Sequence, residues 1–278
     1  MGNNYSEAVN TARDYYNSED ADNFYANIWG GEDIHIGLYN SPEESITSAS
    51  RRTVRHMAAM VPLKTENRVL DIGSGYGGAA RYLASTFGCS VMALNLSEKE
   101  NERARSYNKE RGLSHKIMVV DGSFENIPAH EEEFDMVWSQ DAILHSGHRE
   151  RVIQEVSRVL KLGGRFIFTD PMQSDDCPDG VLQPILDRIH LTSLGSPRFY
   201  REQTKKYGMV EIDFEEHTDQ LIKHYSRVRE ETEKKQTDLT KVVETEYVER
   251  MKKGLGHWID GGERGYLTWG IFVFQKQI

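Results

Sequence analysis

Two kinds of apolar pattern alternate along the middle of the chain. Short continuous runs, Val69-Leu70-Asp71-Ile72, Ser90-Val91-Met92-Ala93-Leu94-Asn95-Leu96, Lys116-Ile117-Met118-Val119-Val120-Asp121, Phe134-Asp135-Met136-Val137-Trp138-Ser139 and Arg165-Phe166-Ile167-Phe168-Thr169-Asp170, read as buried strands. Between them the apolar spacing is helical: 43–60 ahead of the first strand, the alanine-rich Ala79 to Ala84 after it, and a segment opened by Ser97 and Glu100 as a capping box, with Gly112 placed to end it. A helix over 148–162 carries Val152, Val156, Val159 and Leu160 on one face and stops at Gly163-Gly164. Strand and helix in alternation predict an α/β fold with a doubly wound, mostly parallel sheet covered on both faces.

The ends of the chain are patterned differently. Residues 1–60 set Tyr15, Tyr16, Phe24, Tyr25, Trp29 and Tyr39 on a polar background, with 25–39 read as a helix, a loop and a short extended piece. They form an N-terminal cap, either packed on the core or closing as a lid. Residues 61–180 form the sheet core. Over 181–278 the alternation lapses: Val181 to Leu194 reads as helix, Gly208 to Phe214 as a strand, Ser226 to Lys253 as a charged helical stretch, and Tyr266 to Phe274 as a last strand. The two late strands bring the sheet to seven.

Composition narrows the function class. A chain of 278 residues with a net charge of -10 suits a small-molecule substrate and argues against a nucleic-acid partner held by phosphate contacts. Cys89 and Cys177 form no metal pattern, so no metal is expected and a reduced, cytoplasmic compartment is the expectation. Gly2 and Ser6 fit an acylation pattern only loosely, and no stretch is long enough to span a membrane.

Ligands of such sheets collect at the carboxyl ends of the strands. Asp71 and Gly73, Asn95, Asp121, Gln140 and Asp141, and Asp170 follow strands one to five in turn. The turn after the first strand, Gly73-Ser74-Gly75-Tyr76-Gly77-Gly78, lets a ligand reach the backbone, but departs by one place from the dinucleotide pattern and lacks the Walker lysine. Asn95 offers a neutral acceptor where a ribose usually meets an acid. Asp121, followed by Gly122 and Ser123, is placed either for an adenine edge or as a helix N-cap.

Val69 to Gly75 and Leu160-Lys161-Leu162-Gly163-Gly164 resemble the class I S-adenosylmethionine-dependent methyltransferases, which implies a Rossmann-like core. The closer resemblance is to the sarcosine/dimethylglycine N-methyltransferases that make the osmoprotectant glycine betaine. It runs through Ile28 to Gly37, Leu94-Asn95-Leu96-Ser97 with Asn101-Glu102-Arg103, Trp138-Ser139-Gln140-Asp141 with Leu144-His145-Ser146, and Thr169-Asp170-Pro171-Met172. It continues in Gln183 to Ile189, His224-Tyr225-Ser226 and Gly254 to Ile259.

The resemblance implies S-adenosylmethionine as cofactor, held by Asp71, Gly73, Ser74, Gly75, Asn95, Leu96, Asp121, Gly122, Ser123 and Gln140. The phosphoethanolamine methyltransferases share the Asp-x-x-x-His step after strand four and a Tyr ahead of an aromatic-Gly-Glu loop. By that resemblance Asp141 and His145 face the substrate amine and Tyr25 latches the site, with Trp29, Pro171, Met172 and Tyr225 around the substrate. A spacing of four also puts Asp141 and His145 on one helix face, while His145 as a packed histidine stays open. Arg188, Arg198, Arg201, His190 and His224 are unranked candidates for a substrate carboxylate. A monomer or small homo-oligomer is expected. Another small amine such as phosphoethanolamine, a nicotinamide oxidoreductase and a non-catalytic binding protein are the competing functions.

Overall fold

The computed structural model describes residues 7–29 and 31–278; Gly2, Ser6 and Gly30 lie outside the described residues. Helices α1 (Glu7–Asn17), α2 (Glu19–Ile28) and α3 (Ile46–Ala59) precede the sheet. There follow β1 (Arg68–Ile72), α4 (Gly78–Phe87), β2 (Ser90–Asn95), α5 (Glu98–Glu110), β3 (Ile117–Asp121), β4 (Phe134–Gln140), a 3-10 turn at Ile143–His145, α6 (Arg149–Val159) and β5 (Leu160–Gln173). The chain continues through α7 (Gln183–Ile189), α8 (Pro197–Lys206), β6 (Met209–Glu216), α9 (Thr218–Lys234), α10 (Gln236–Leu239), α11 (Thr245–Glu263) and β7 (Leu267–Lys276).

The seven strands pair in the order β3-β2-β1-β4-β5-β7-β6, all parallel except β7, which runs antiparallel to both β5 and β6. Alternation along each strand sorts its side chains to opposite faces. Leu70, Ile72, Val137, Phe166 and Phe168 pack with Val152 and Val156 of α6, while Val69, Val91, Met136, Trp138 and Ile167 pack with Val54 and Met57 of α3 and Leu83 of α4. The strand order reverses between β1 and β4, which opens a crevice at their carboxyl ends.

Serine caps set the helix starts. Ser18, Ser45, Ser97 and Ser196 each accept a bond from a backbone N–H of the first turn of α2, α3, α5 and α8. The capping box at Ser97 is only half closed, because the Glu100 carboxylate turns to accept from Asn95 Nδ2 at 2.8 Å. The 148–162 helix ends at Val159: Leu160 already has extended backbone and pairs with Phe134, so Leu160 to Gly164 opens β5 instead of closing the helix. The charged 226–253 stretch is not continuous, since α9, α10 and α11 share it. Helix α8 was not foreseen; it starts on a Ser-Pro pair, the cap followed by a proline whose fixed φ suits the first helical position.

Phe24, Ile28 and Trp29 of the N-terminal segment bury against Val228, Tyr247, Val248, Met251 and Leu255. Each such side chain contributes about 1.5–3 kcal/mol on burial. The first helices are therefore bound to the late helices α9 and α11, above the carboxyl ends of the strands. Among the described residues no helix is long and apolar enough to cross a membrane.

Candidate active site

The turn after β1 is shaped by what lies against it. Gly73 has φ +72°, and a Cβ there would stand 2.3 Å from Ala142 Cβ. A Cβ on Gly78 would stand 2.1 Å from Asp33 Oδ1 and 2.6 Å from the Glu32 carbonyl oxygen. The Glu32–His35 segment thus lies directly on the turn, held by Glu32 to Arg81 at 2.7 Å and by Asp33 to Arg51 at 2.8 Å. Between segment and turn is a cleft of about 30 Å³ that includes Asp71, Gly73, Ser74, Gly75 and Gln140 in its lining.

Five buried polar atoms of that lining have no hydrogen-bond partner in the protein: Asp33 Oδ1, His35 Nε2, Asp71 Oδ2, Ser74 Oγ and Gln140 Nε2. An unmade bond on a buried group costs about 1–3 kcal/mol, so this set calls for a polar ligand. Carboxylate oxygens beside an amide N–H, a hydroxyl and an imidazole suit the ammonium and carboxylate of an amino-acid end. Burial, with Asp33 adding to it, pushes the Asp71 carboxyl up to about 7, against the pull of Arg81.

At the neighbouring strand ends Asn95 and Asp121 are partners in register. Asn101 Nδ2 donates to the Asn95 carbonyl at 3.0 Å and to Asp121 Oδ1 at 2.7 Å, and Arg105 reaches Asp121 Oδ2 at 2.9 Å. No helix starts at Asp121, which removes its N-cap reading. Gly122 N–H donates to the Asn95 carbonyl at 3.0 Å, Ser123 Oγ accepts from Glu125 N–H at 3.1 Å, and Leu96 is half-buried beside them. The cap crosses this region: Ser97 Oγ bonds Asn17 Oδ1 at 2.9 Å, and Asp22 accepts from Tyr76 Oη at 3.1 Å and pairs with Arg103 at 2.5 Å.

Beyond β4 lies a second cavity of about 770 Å³, and Tyr25, Trp29, Asp141, His145, Pro171 and Tyr225 all line it. Met172 does not join them. It is fully buried in the sheet core, because adjacent strand residues face opposite ways.

Asp141 and His145 share the cavity without sharing an α-helix. Asp141 takes φ +50°, its N–H bonded to the Thr169 carbonyl at 2.9 Å, and His145 ends the single 3-10 turn that follows. A left-handed aspartate is tolerated but uncommon, and here it aims the carboxylate at two donors. Oδ1 accepts from Trp269 Nε1 at 2.8 Å and Oδ2 from Ile36 N–H at 2.7 Å. Burial nonetheless raises the Asp141 pKa, against the opposing effect of His35 and these two bonds. Burial and Arg188 push His145 down to about 4, so its imidazole is neutral at pH 7, with Nε2 2.8 Å from Tyr16 Oη.

Aromatic rings enclose the rest. Tyr25 and Trp29 have ring centroids 4.9 Å apart, Tyr16 and Tyr25 6.0 Å, and Tyr15 Oη bonds Tyr247 Oη at 2.9 Å. Of the five carboxylate candidates, Arg188, His190 and His224 line the cavity. Arg198 and Arg201 do not: they pair with Asp176 at 3.7 Å and Glu211 at 2.7 Å, away from the strand ends. His224 is driven down to about 3 by burial and is neutral, whereas Arg188 carries a fixed charge beside Met251 Sδ at 2.9 Å. Trp269 and Ile36 at Asp141, and Tyr247 and Met251 in the wall, were not singled out from sequence. Tyr15, Tyr16 and Tyr25 were the members of the tyrosine cluster visible in sequence.

A family model described as a methyltransferase domain matches residues 70–168. The chain is 62% identical over 271 residues to a sarcosine/dimethylglycine N-methyltransferase of Halorhodospira halochloris, covering 97% of each chain. It is 55% identical to a glycine/sarcosine/dimethylglycine N-methyltransferase of Actinopolyspora halophila, over 96% of this chain and 47% of that longer one. A crystal structure assigned to a sarcosine dimethylglycine methyltransferase of Galdieria sulphuraria superposes with a TM-score of 0.90 at 42% identity, covering 95% of this chain and 99% of that one. Joined to a sheet whose switch point carries an orphaned polar cleft beside an aromatic cavity, these likenesses place the chain in the sarcosine/dimethylglycine N-methyltransferase family.

Proposed function

We propose that this protein methylates the amine of sarcosine and N,N-dimethylglycine to form glycine betaine, with S-adenosylmethionine as methyl donor. S-adenosylmethionine supplies a methyl group already activated on a sulfonium sulfur. The protein's own work is to bind, orient, deprotonate and keep out water. The amino-acid end of the donor fits the unpartnered atoms of Asp33, His35, Asp71, Ser74 and Gln140 around the glycine turn. Asn95, Leu96, Asp121, Gly122 and Ser123 at the next two strand ends are assigned to its adenosine.

The single observation that carries the substrate assignment is a half-buried carboxylate, Asp141, and a guanidinium, Arg188, lining one aromatic cavity. A zwitterion has one group for each. Asp141 holds the ammonium and takes its proton, since burial raises the basicity of that carboxylate. His145, neutral and tied to Tyr16, orients the freed amine, and Arg188 holds the carboxylate. The faces of Tyr25, Trp29 and Tyr225 meet the quaternary product, each contact worth about 0.5–2 kcal/mol. Residues 1–60 and 181–278 form the cover over the 61–180 core, and we place the protein in the cytoplasm as a monomer or small homo-oligomer.

Incubation with labelled S-adenosylmethionine and glycine, sarcosine, dimethylglycine or phosphoethanolamine tests the assignment. Label is expected in betaine from sarcosine and dimethylglycine. Transfer to phosphoethanolamine in preference to both would overturn it.

A further inference from the structure

Outside the cavity lining, with the His217 ring 6.3 Å from that of Trp269, three side chains converge that the methyl-transfer reading does not use. His56 Nε2 lies 2.6 Å and His217 Nε2 3.0 Å from the same oxygen, Glu215 Oε2, and the ligand atoms of the three residues all fall within 4.8 Å of one another. We propose that His56, Glu215 and His217 bind a divalent transition metal ion of the zinc type.

The donor set suits that ion. Two imidazole nitrogens and one carboxylate oxygen with a fourth position left to water make a known tetrahedral zinc environment. Ligand atoms about 2.1 Å from a zinc ion stand roughly 3.4 Å apart around a tetrahedron. The two nitrogen-to-oxygen separations of 2.6 and 3.0 Å reach that spacing when each nitrogen draws back by less than about 1 Å, and the two nitrogens already lie within 4.8 Å of each other. All three side chains are about a third exposed, so an ion can enter from solvent.

The site is also built on fixed backbone. Glu215 is paired in register with Ile271 of β7, and His217, two residues further on, donates its N–H to the Trp269 carbonyl at 2.8 Å. His56 comes from the last turn of α3, whose residues Val54 and Met57 are packed in the sheet core. A bound ion would therefore join α3 to the edge strand β6, two elements separated along the chain by strands β1 to β5. Metal binding to a site that exists only when the chain is folded adds to folding stability.

The test uses the full chain without a histidine tag, stripped with chelator and titrated with Zn²⁺ by calorimetry, alongside the His56→Ala/His217→Ala double variant. The wild type should bind one Zn²⁺ more than the double variant. Its melting temperature should rise with Zn²⁺, and that of the variant should not. Glu215→Gln, which preserves size, should weaken that site by more than the roughly 10–100-fold that loss of an outer partner costs. Equal stoichiometry and affinity in wild type and double variant would overturn the proposal. Should the double variant fail to fold, anomalous scattering at the zinc edge from wild-type crystals soaked in Zn²⁺ decides. A peak between the His56 and His217 rings supports the site, and the lack of one there refutes it.

Discussion

Replacing Trp269 with Phe removes one of the two protein hydrogen bonds to Asp141 and keeps an aromatic ring in place. The indole Nε1 stands 2.8 Å from Oδ1, while Ile36 N–H at 2.7 Å from Oδ2 is untouched. A hydrogen bond to a charged acceptor is worth about 1.5–3 kcal/mol. One pKa unit corresponds to about 1.4 kcal/mol, so the Asp141 carboxyl, already raised by burial, should climb by a further 1–2 units or so. If Asp141 works as the carboxylate, the acid limb of kcat/KM for dimethylglycine moves to higher pH by that amount. At any pH on the acid side of that limb the rate then falls roughly 10–100-fold. The assay is initial-rate transfer of labelled methyl groups over pH 5–9, well below the melting temperature, because Trp269 is fully buried and the smaller ring also costs packing. An acid limb in the same place, with turnover within about twofold of wild type, would show that the Asp141 charge does not govern the reaction.

Arg188→Met preserves a flexible stem beside Met251 and Gly254 but removes the guanidinium; KM for dimethylglycine should rise about 10–100-fold with cofactor affinity unchanged in calorimetry. An unchanged KM would move the carboxylate elsewhere. Gly78→Ala forces a methyl into Asp33 and the Glu32 carbonyl, so it should lower stability by about 1–3 kcal/mol and weaken S-adenosylmethionine binding; a titration matching wild type would detach the Glu32–His35 segment from the cofactor site. Glu100 is held near 7 by burial, above its ordinary value of 4.5, so the folded state keeps a proton that the unfolded chain has released. Its contribution is complete below about pH 4.5 and is lost as pH rises through about 7, an effect on the order of 3 kcal/mol. Glu100→Gln should flatten that fall in a pH series of denaturant melts, and an unaltered slope would assign it to other groups.

The strand ends were legible in sequence because two local signals coincide there. A buried parallel strand reads as an uninterrupted apolar run, and its end is marked by the first glycine or acid, as at Asp71-Ile72-Gly73 and Gln140-Asp141. The place of Asp141 at the end of β4 was legible, but not its backbone: a left-handed φ leaves no mark on a residue type that tolerates it. Nor could spacing show that Tyr15 and Tyr247 meet, since their 2.9 Å contact joins residues 232 positions apart and depends on how α1 docks on α11. Leu160 to Gly164 misled for a related reason. Its apolar residue continues the periodicity of α6, and only its pairing with Phe134, a tertiary contact, makes it strand. Met172 was carried into the site with Pro171 by adjacency in a motif, whereas strand alternation separates them.

Strand β7 enters the sheet between β5 and β6 and delivers Trp269 to Asp141. During synthesis, then, the ribosome must release residues 267–276 before β5 gains its second neighbour and Asp141 its indole donor. A nascent chain stalled any earlier holds the glycine turn and most of the parallel strands, yet its Asp141 carboxylate lacks the donor from Trp269, and on the proposed role of Asp141 it is not ready for an amine. Half-made copies of the enzyme should accordingly draw no methyl groups from the cell's supply.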